Sequence, residues 1–427
     1  MEKVNTVVVG GGQAGLAMSA QLGERGVSHL ILERDRIAER WRTARWDSLV
    51  ANGPAWHDRF PTLAFADVAD DGFAPRDSVT RYFETFAHQI RAPVRCGVEV
   101  TRVRRRDGGQ GFRIETSDGP LEACNVVAAT GPFQVPSIPP VVPTLDGLTQ
   151  IHSAAYRRPA ALPEGGVLVV GAGSSGAQIA DELLRAGRDV TLSIGPHDRP
   201  PRRYRGKDFV WWLGVLGKWQ MRTPPAGREH VTIAVSGAHG GETVDFRRFA
   251  ARGMRLVGMT TRFAAGVLHF APDLVANIAA GDADYLSVLD EADAHVAREG
   301  LDLPDEPEAR FLGPDPADLA EPCLALDLAD AGITTIVWAT GYAQDFGWLQ
   351  VDAFDASGRP RHERGVSSEP GVYFVGLPWL SMRGSSFIWG VWEDAKYLAA
   401  HIAARGTHPG AGVESDEPAV RRTAKRP

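Results

Sequence analysis

Two glycine-rich turns of the same pattern stand about 160 residues apart in this chain. Each follows a short apolar run and precedes a segment whose apolar residues recur at helical spacing. Glycines in a G-x-G-x-x-G pattern at such a place let the backbone approach a pyrophosphate closely. They also direct the free N–H groups of the helix N-terminus at its charge. The chain is therefore predicted to be an α/β protein with two Rossmann-like dinucleotide-binding domains.

The first turn is predicted to hold one dinucleotide. It follows the apolar run 7–9, and Glu33 ends the next strand roughly twenty residues further on. A carboxylate at that place accepts hydrogen bonds from ribose hydroxyls. The predicted contacts of this turn are Gly10, Gly12, Gln13, Ala14, Gly15, Glu33 and Arg34.

The second turn has a different strand after it. That strand, at 189–195, ends without Asp or Glu, and a group of basic residues comes next. A missing carboxylate with arginines nearby favours the 2′-phosphate of NADPH, although use of NADH stays open. The alternative is that these arginines only form a solvated basic loop. The predicted contacts are Gly171, Gly173, Ser174, Ser175, Gly176, Arg199 and Arg203.

Two dinucleotide folds in one chain predict one tightly held and one exchanging cofactor, for which flavin and nicotinamide are the natural pair. Cys96, Cys124 and Cys323 are far apart and form no C-x-x-C pair. This pattern argues against dithiol chemistry and indicates a reducing compartment. The sequence also has no iron–sulfur motif. Oxygen is therefore the leading candidate to receive the electrons of the reduced flavin.

Composition limits the partners of the chain. Its 427 residues suffice for two to three domains, and a net charge of −7 argues against nucleic acid or an anionic membrane. The aromatic stretch 209–219 is too short for a membrane span. The N-terminus enters a strand at once, which leaves no room for a signal peptide. We expect a cytoplasmic protein whose partners are a small-molecule substrate and O2; a homodimer is left open.

Several motifs together resemble the class B flavin-dependent monooxygenases, which include the flavin-containing monooxygenases and the plant YUCCA-type enzymes. GGGQAG and GAGSSGAQIADEL are similar to the paired FAD and NADPH turns of that family. ATG at 129–131 and WATGY at 338–342 are similar to its hinge strands. RWDSLVANGP at 45–54 and GVYFVG at 371–376 are similar to segments that pass the flavin. The resemblance covers residues 5 to about 400.

The resemblance implies roles for particular residues. Asn52 falls where the family keeps an asparagine beside the flavin C4a position, where its amide could hydrogen-bond a peroxide oxygen. Asn is also a common turn-former before a sequence such as Gly53-Pro54, so that a purely structural role is the alternative. Further implied cofactor contacts are Trp41, Trp46, Val100, Gly131, Gly341 and Gly376.

Two departures from the family pattern qualify the resemblance. Gly195 replaces the arginine that the family carries directly after the second βαβ strand, so that Arg199 or the Arg202–Arg203 pair has to take the phosphate. The motif at 145–159 lacks the family's Phe and ends in Tyr156-Arg157, which disfavours ketone-to-ester chemistry.

The resemblance implies an NADPH domain inserted into a split FAD domain. The predicted segments are 1–157, the first part of the FAD domain; 158–328, the NADPH domain with a tryptophan-rich insertion at 199–227; and 329–427, the second part with a C-terminal tail. Prolines at 131–143 predict a linker, residues 98–128 antiparallel strands, and 282–308 an acidic helix. The tail after about Gly406 is polar, lacks periodicity and is expected to be frayed.

The implied activity is that of an FAD- and NADPH-dependent monooxygenase, which forms a C4a-(hydro)peroxyflavin and oxygenates a small organic substrate at nitrogen or sulfur. One alternative is YUCCA-type oxidative decarboxylation of a 2-oxo acid such as indole-3-pyruvate, with the basic insertion holding the carboxylate. Another is a non-oxygenating NAD(P)H-flavin reductase or a redox-sensing flavoprotein.

Overall fold

The computed structural model describes residues 1–222 and 232–405. The predicted frayed tail after Gly406 and residues 223–227 of the predicted insertion lie outside the described residues.

The secondary structure alternates between short strands and helices along most of the chain. The strands are β1 Glu2–Val9, β2 His29–Glu33, β3 Val94–Cys96, β4 Val100–Arg105, β5 Phe112–Thr116, β6 Leu121–Ala128, β7 Val135–Pro136, β8 Thr149–His152, β9 Gly166–Val170, β10 Val190–Ser193, β11 Arg203–Tyr204, β12 Lys207–Asp208, β13 Arg255–Val257, β14 Thr260–Ala264, β15 Val267–Phe270, β16 Ala325–Asp327, β17 Ile333–Trp338, β18 Tyr342–Ala343, β19 His362–Glu363, β20 Val366–Ser367 and β21 Val372–Phe374. The α-helices are α1 Gln13–Glu24, α2 Glu39–Thr43, α3 Arg76–Gln89, α4 Ser174–Arg185, α5 Phe209–Val215, α6 Phe246–Ala251, α7 Leu274–Glu299, α8 Ala317–Ala320 and α9 Gly390–Ala404. The 3-10 helices are Pro159–Ala161, Lys218–Gln220, Ala238–Gly240, Pro307–Arg310 and Arg383–Ser386.

The first sheet contains the strand that precedes the first glycine turn. Its parallel strands follow the order β3-β2-β1-β6-β21, and β1 pairs with both β2 and β6. The hairpin β4–β5 joins β6 in antiparallel fashion, which confirms the antiparallel strands predicted over 98–128. Strand β6 is shared by both arrangements: one of its edges pairs with β5 in antiparallel fashion, and it also pairs with β1 in parallel fashion.

The second sheet repeats this plan. Its five strands are parallel in the order β13-β10-β9-β17-β8, with β9 before the second glycine turn. The first sheet takes its strands from both ends of the chain, so that the second unit is inserted into the first. This confirms the predicted fold class of two dinucleotide-binding units.

The edges of the insert lie further out than the predicted segment 158–328. Strand β8 precedes that segment and β17 comes after it, yet β17 pairs with both β9 and β8 in the second sheet. Sheet pairing therefore extends the inserted unit to roughly residues 149–338. Turn composition in the sequence does not reveal this, because the outer strands are recruited by pairing with partners far along the chain.

Apolar residues on both faces explain why the strands before the turns are continuous apolar runs. Val8 packs under α1, α3 and α9, whereas Val7 and Val9 face the opposite side of the sheet, towards Phe112 and Phe374. A parallel sheet buried on both faces requires this pattern.

The tryptophan-rich insertion packs against the long helix α7. Asp208 caps α5 by accepting a hydrogen bond from the Val210 N–H, and Trp212 is fully buried near Leu289 of α7. The predicted acidic helix at 282–308 corresponds to α7, which begins earlier and ends at Gly300 in the left-handed conformation. Within the described residues, no helix is both long and apolar enough to cross a membrane.

Candidate active site

The first glycine turn has the geometry that a dinucleotide needs. Gly10 has a φ of 114°, and a Cβ on Gly15 would lie 1.9 Å from the Gly10 carbonyl oxygen, so that neither position accepts a side chain. Gly12 is the N-cap of α1, without a side-chain cap, and a Cβ there would have no atom within 4 Å. The open space beside Gly12, at the N-terminus of this helix, fits the pyrophosphate of FAD.

Glu33 lies beside this turn. Its carboxylate accepts hydrogen bonds from the backbone N–H groups of Gly11 at 2.5 Å and of Asp35 at 2.9 Å. A carboxylate offers about four acceptor positions, so that two remain for ribose hydroxyls. Arg34 is more exposed and forms an ion pair with Asp35 at 3.3 Å.

The second glycine turn has similar glycine geometry, but a Cβ on Gly173 would lie 3.2 Å from Thr232 Cγ2, whereas the Cβ position of Gly12 is open. Gly171 has a φ of 107°, and a Cβ on Gly176 would lie 1.8 Å from the Gly171 carbonyl oxygen. Gly173 is the N-cap of α4 and lacks a side-chain cap. The Ser174 hydroxyl donates to the Ile233 carbonyl at 2.8 Å, and Ser175 is next to it in the first turn of the helix. The residues present therefore fit a second dinucleotide at α4.

Sheet register explains why no carboxylate lies beyond the second turn. Val9 pairs with Leu32, and Val170 pairs with Ser193, so that Ile194 takes the place that Glu33 has at the first turn. Ile194 is fully buried. The position that Glu33 occupies at the first turn is therefore not acidic at the second turn.

The structure gives Arg199 a role different from the predicted phosphate contact. Its guanidinium forms a buried ion pair with Asp282 at 2.7 Å and stacks on Tyr285, and the residue is only 5% exposed. A solvent-borne phosphate cannot reach it without breaking this pair. Arg203 is exposed and donates to the Gly240 carbonyl at 2.9 Å, and its role as a phosphate contact stays a prediction.

Asn52 lies between the two units. Its side-chain oxygen accepts a hydrogen bond from Gln178 Nε2 at 2.8 Å, and Gln178 belongs to α4, behind the second glycine turn. The same Gln178 nitrogen donates to the Val235 carbonyl at 2.7 Å, which fixes the orientation of both amides. Asn52 Nδ2 makes no hydrogen bond to a residue in the described part of the chain, so that the amide donor remains free.

One guanidinium and one carboxylate hold the backbone around Asn52. Arg202 donates to the Asn52 carbonyl at 2.6 Å and is ion-paired with Asp208, and Asp58 accepts from the Gly53 N–H at 2.9 Å. Arg202 is 2% exposed, and burial lowers the pKa of its guanidinium, an effect that Asp208 opposes. The turn carrying Asn52 is thus held rigidly from both sides.

Gln13 begins α1 and donates to the Ser386 carbonyl at 2.7 Å, which ties the first turn to the late 3-10 helix. A Cβ on Gly376 would lie 2.6 Å from Ala14 Cβ, because β21 ends against α1. Gly131 and Gly341 both have a positive φ and open space at the Cβ position.

The remaining predicted contacts lie in packed surroundings. Trp41 packs against the cores of both units, and Trp46 is 4% exposed in the core of the second. Val100 begins β4 in the core of the first unit. The role of these residues as cofactor contacts stays a prediction.

Sequence reasoning missed several residues of this site. Gln178 lies inside the motif GAGSSGAQIADEL, but nothing in that motif distinguishes it from its neighbours. His57, Asp58 and Arg383 lie in segments with no recognisable motif, although His57 and Asp58 come shortly after the motif at 45–54. Within residues 1–222 and 232–405, no group of three or more His, Cys, Asp or Glu side chains could hold a metal ion.

Comparison with known proteins agrees with this geometry. A family model described as pyridine nucleotide-disulphide oxidoreductase matches residues 7–212. An uncharacterized CzcO-like oxidoreductase of Geobacillus kaustophilus is 32% identical over 403 residues, 93% of this chain and 98% of the relative. The indole-3-pyruvate monooxygenase YUCCA1 of Oryza sativa is 31% identical over 192 residues, 44% of this chain and 47% of that protein.

The fold is also similar to a solved structure. A flavin-containing monooxygenase from Stenotrophomonas maltophilia superimposes with a TM-score of 0.64 at 20% identity, covering 95% of this chain and 99% of the other. Because a relative of similar length shares 32% of its residues, the chain belongs to the family of the CzcO-like oxidoreductases.

Proposed function

We propose that this protein uses FAD and NADPH to oxygenate a small organic substrate at nitrogen or sulfur. One oxygen atom of O2 is transferred to the substrate and the other leaves as water, with NADPH supplying two electrons and a proton from solvent completing the balance. FAD, when bound at the first turn, supplies the acceptor for the hydride of NADPH and the site of oxygen activation.

The observation that carries the proposal is the orientation of the Asn52 amide. Gln178 occupies the side-chain oxygen of Asn52, so that the free group is the Nδ2 donor. A fixed donor stabilises an oxygen atom that gains negative charge during reaction, without any reorganisation at that moment. This supports an oxygen-handling role for Asn52 better than a turn-forming role, because its Oδ1 accepts from Gln178 and Pro54, two residues on, has no N–H for an Asx-turn.

Burial of the groups behind Asn52 supports the same chemistry. The Arg202 guanidinium lies 4.7 Å from the ring centre of Phe73 and 4.6 Å from that of Phe209. These rings keep water from the turn, and water exclusion limits loss of activated oxygen as hydrogen peroxide.

A specific observation favours a second candidate, oxidative decarboxylation of a 2-oxo acid. Arg383 lies in the 3-10 helix that Gln13 contacts, and burial lowers the pKa of its guanidinium, opposed by Asp198 and Asp284. The guanidinium has no hydrogen-bond partner among the described residues. A half-buried arginine of this kind suits a substrate carboxylate. The partial similarity to the rice YUCCA1 enzyme adds support.

Product analysis tests these candidates. FAD-loaded protein is given NADPH and O2 with a thioether, a tertiary amine or an aromatic 2-oxo acid, while NADPH consumption, O2 uptake, hydrogen peroxide and product are measured together. We expect sulfoxide or N-oxide in near one-to-one ratio with NADPH. Release of CO2 from the 2-oxo acid, abolished in Arg383→Gln, would instead select the second candidate.

A different outcome would overturn both candidates. If NADPH reduces the flavin but no substrate receives oxygen and O2 uptake gives only hydrogen peroxide, the protein is a flavin reductase or redox sensor. The same experiment with NADH in place of NADPH measures the nucleotide preference.

A further inference from the structure

Five aromatic side chains form a cluster beside the turn that carries Asn52. We call it the aromatic cage; its members are Trp56, His57, Trp219, Phe387 and Trp389. The His57 ring stacks on Trp219 with centroids 5.3 Å apart and lies 5.5 Å from that of Trp389. Trp219 in turn contacts Phe387 edge-on at 5.0 Å. The cage thus joins the first unit, the insertion and the segment before α9.

His57 presents a polar atom to this apolar environment. Its Nδ1 lies 2.7 Å from Asp58 Oδ1, and because a carboxylate only accepts, Nδ1 carries the proton. In the neutral imidazole, Nε2 is therefore an acceptor. His57 is 9% exposed, and its Nε2 is buried without a hydrogen-bond partner among the described residues.

A second polar atom of the cage is in the same situation. The indole nitrogen of Trp389 is buried and donates to no described residue. Buried polar atoms are nearly always hydrogen-bonded, since an unmade bond costs the desolvation of the group. One unpaired acceptor and one unpaired donor in a single cluster of rings are complementary to a molecule that carries both.

The cage is connected directly to the proposed reaction site. Asp58 accepts from both His57 Nδ1 and the Gly53 N–H, and Gly53 is the residue directly after Asn52. On the other side, Phe387 is next to Ser386, whose carbonyl receives the hydrogen bond from Gln13 at the first turn. A ligand in the cage would therefore lie beside both Asn52 and the first glycine turn.

We infer that the aromatic cage binds the substrate, and that this substrate is a small aromatic molecule with an N–H or O–H group that donates to His57 Nε2. The Trp389 indole N–H donates to an acceptor atom of the same molecule, and the rings supply stacking. This inference rests on the proposed oxygenation and names its substrate class. His57 is a specificity-determining residue in this arrangement, and Asp58 is the positioning residue that sets its tautomer.

Binding of two simple probes tests the inference without turnover. Phenol has both the donor and an acceptor, whereas anisole has the ring and the acceptor but no donor. Titration calorimetry on the FAD-loaded full chain should give about 3- to 10-fold tighter binding of phenol, as expected for one additional hydrogen bond. Equal binding of the two probes, or binding of neither, would overturn the inference.

Two substitutions locate the effect at Nε2. His57→Asn keeps a donor for Asp58 but removes the Nε2 acceptor, so that the ratio of phenol to anisole affinity should fall to about one. His57→Gln retains a polar atom near the position of Nε2 and should keep part of the phenol preference. His197→Asn is the matched control, because His197 is also buried, and its Nε2 has no hydrogen-bond partner in the part of the chain that the structure describes, but it lies next to Phe246 in the second unit. A preference that persists in His57→Asn would assign the contact elsewhere. If either His57 variant fails to fold, the wild-type ratio still decides.

The outcome is separable from that of the proposed function. Probe binding is measured without NADPH or O2, so that a phenol preference with no oxygenated product would contradict the monooxygenase proposal alone. Oxygenation of aliphatic thioethers without any phenol preference would contradict only the inference that the aromatic cage binds the substrate.

Discussion

Asn52 and Gln178 lie 126 positions apart in the sequence and are joined by a 2.8 Å hydrogen bond from the Gln178 amide nitrogen to the Asn52 side-chain oxygen. One belongs to the turn beside the first unit, the other to the helix that begins at the second glycine turn. The bond therefore connects the two dinucleotide-binding units. It also determines which atom of Asn52 is free.

Replacement of Asn52 by Asp should uncouple the reaction. The carboxylate keeps the acceptor for Gln178 but loses the Nδ2 donor and places negative charge beside the reacting oxygen. We expect product formation to fall by about 10²–10³, the effect of losing one such donor. NADPH consumption should continue, with hydrogen peroxide in place of product. Asn52→Ala separates loss of the donor from added charge. Coupled product formation in Asn52→Asp would mean that Asn52 is only a turn residue.

Gly12→Ala should release FAD without unfolding the protein. A Cβ at Gly12 meets no protein atom within 4 Å and its φ of −87° suits alanine, so that the methyl group obstructs only the pyrophosphate. We expect FAD affinity to fall at least about tenfold, or ~1.4 kcal/mol. The ratio of flavin to protein absorbance after dialysis measures this.

The matched control for Gly12 is Gly23→Ala near the other end of the same helix. Gly23 also has open space around its Cβ position. Alanine there should raise helix stability by up to ~1 kcal/mol and leave the bound flavin unchanged. Equal flavin loss in both variants would show that the first turn is not the pyrophosphate site.

Arg199→Ala should affect the stability of the protein, whereas Arg203→Ala should not. Loss of Arg199 removes a buried ion pair and leaves Asp282 with Arg247 alone, so that we expect a stability loss of ~2–4 kcal/mol by denaturant unfolding. Arg203→Ala should change stability by less than about 0.5 kcal/mol. If Arg203 binds the 2′-phosphate, its loss raises KM for NADPH roughly tenfold and leaves NADH unchanged. Equal effects on both nucleotides would exclude that role.

Asp284→Asn should stabilise the protein at neutral and higher pH. Burial, together with the charge of Asp198, raises the pKa of Asp284 to about 6, although the Arg199 N–H, Lys218 and Arg383 oppose this shift. The folded state therefore binds the proton more tightly than the unfolded state, whose aspartate has a pKa of about 3.9. The protonated carboxyl of Asp284 therefore contributes to the free energy of unfolding. This contribution is complete below about pH 4 and is lost as pH rises through about 6.

Asparagine can still accept the hydrogen bond from the Arg199 N–H at 2.9 Å, but does not titrate. Because the carboxyl is only partly buried, we expect a gain of ~1–2 kcal/mol at pH 8 and none at pH 4. Urea unfolding at both pH values measures the gain. An identical pH dependence in wild type and variant would contradict the assignment.

The amino-acid sequence alone determined the paired glycine turns, the strands before them and the α/β class. These features are local, because the steric need for Gly15 and Gly176 arises from carbonyl oxygens only five residues earlier. Buried parallel strands likewise leave a continuous apolar run in the sequence. The family resemblance came from the same motifs.

Tertiary structure decided which side chains meet. The sequence contains a group of arginines after the second strand, but burial beside Asp282, 83 positions away, commits Arg199 to an internal ion pair. Sheet pairing recruits β8 and β17 into the second unit, and Gln178 orients Asn52. Such contacts depend on how helices and loops pack across the whole chain. Only this packing removes a charged group or the His57 nitrogen from water, and only then does the lack of a partner cost free energy.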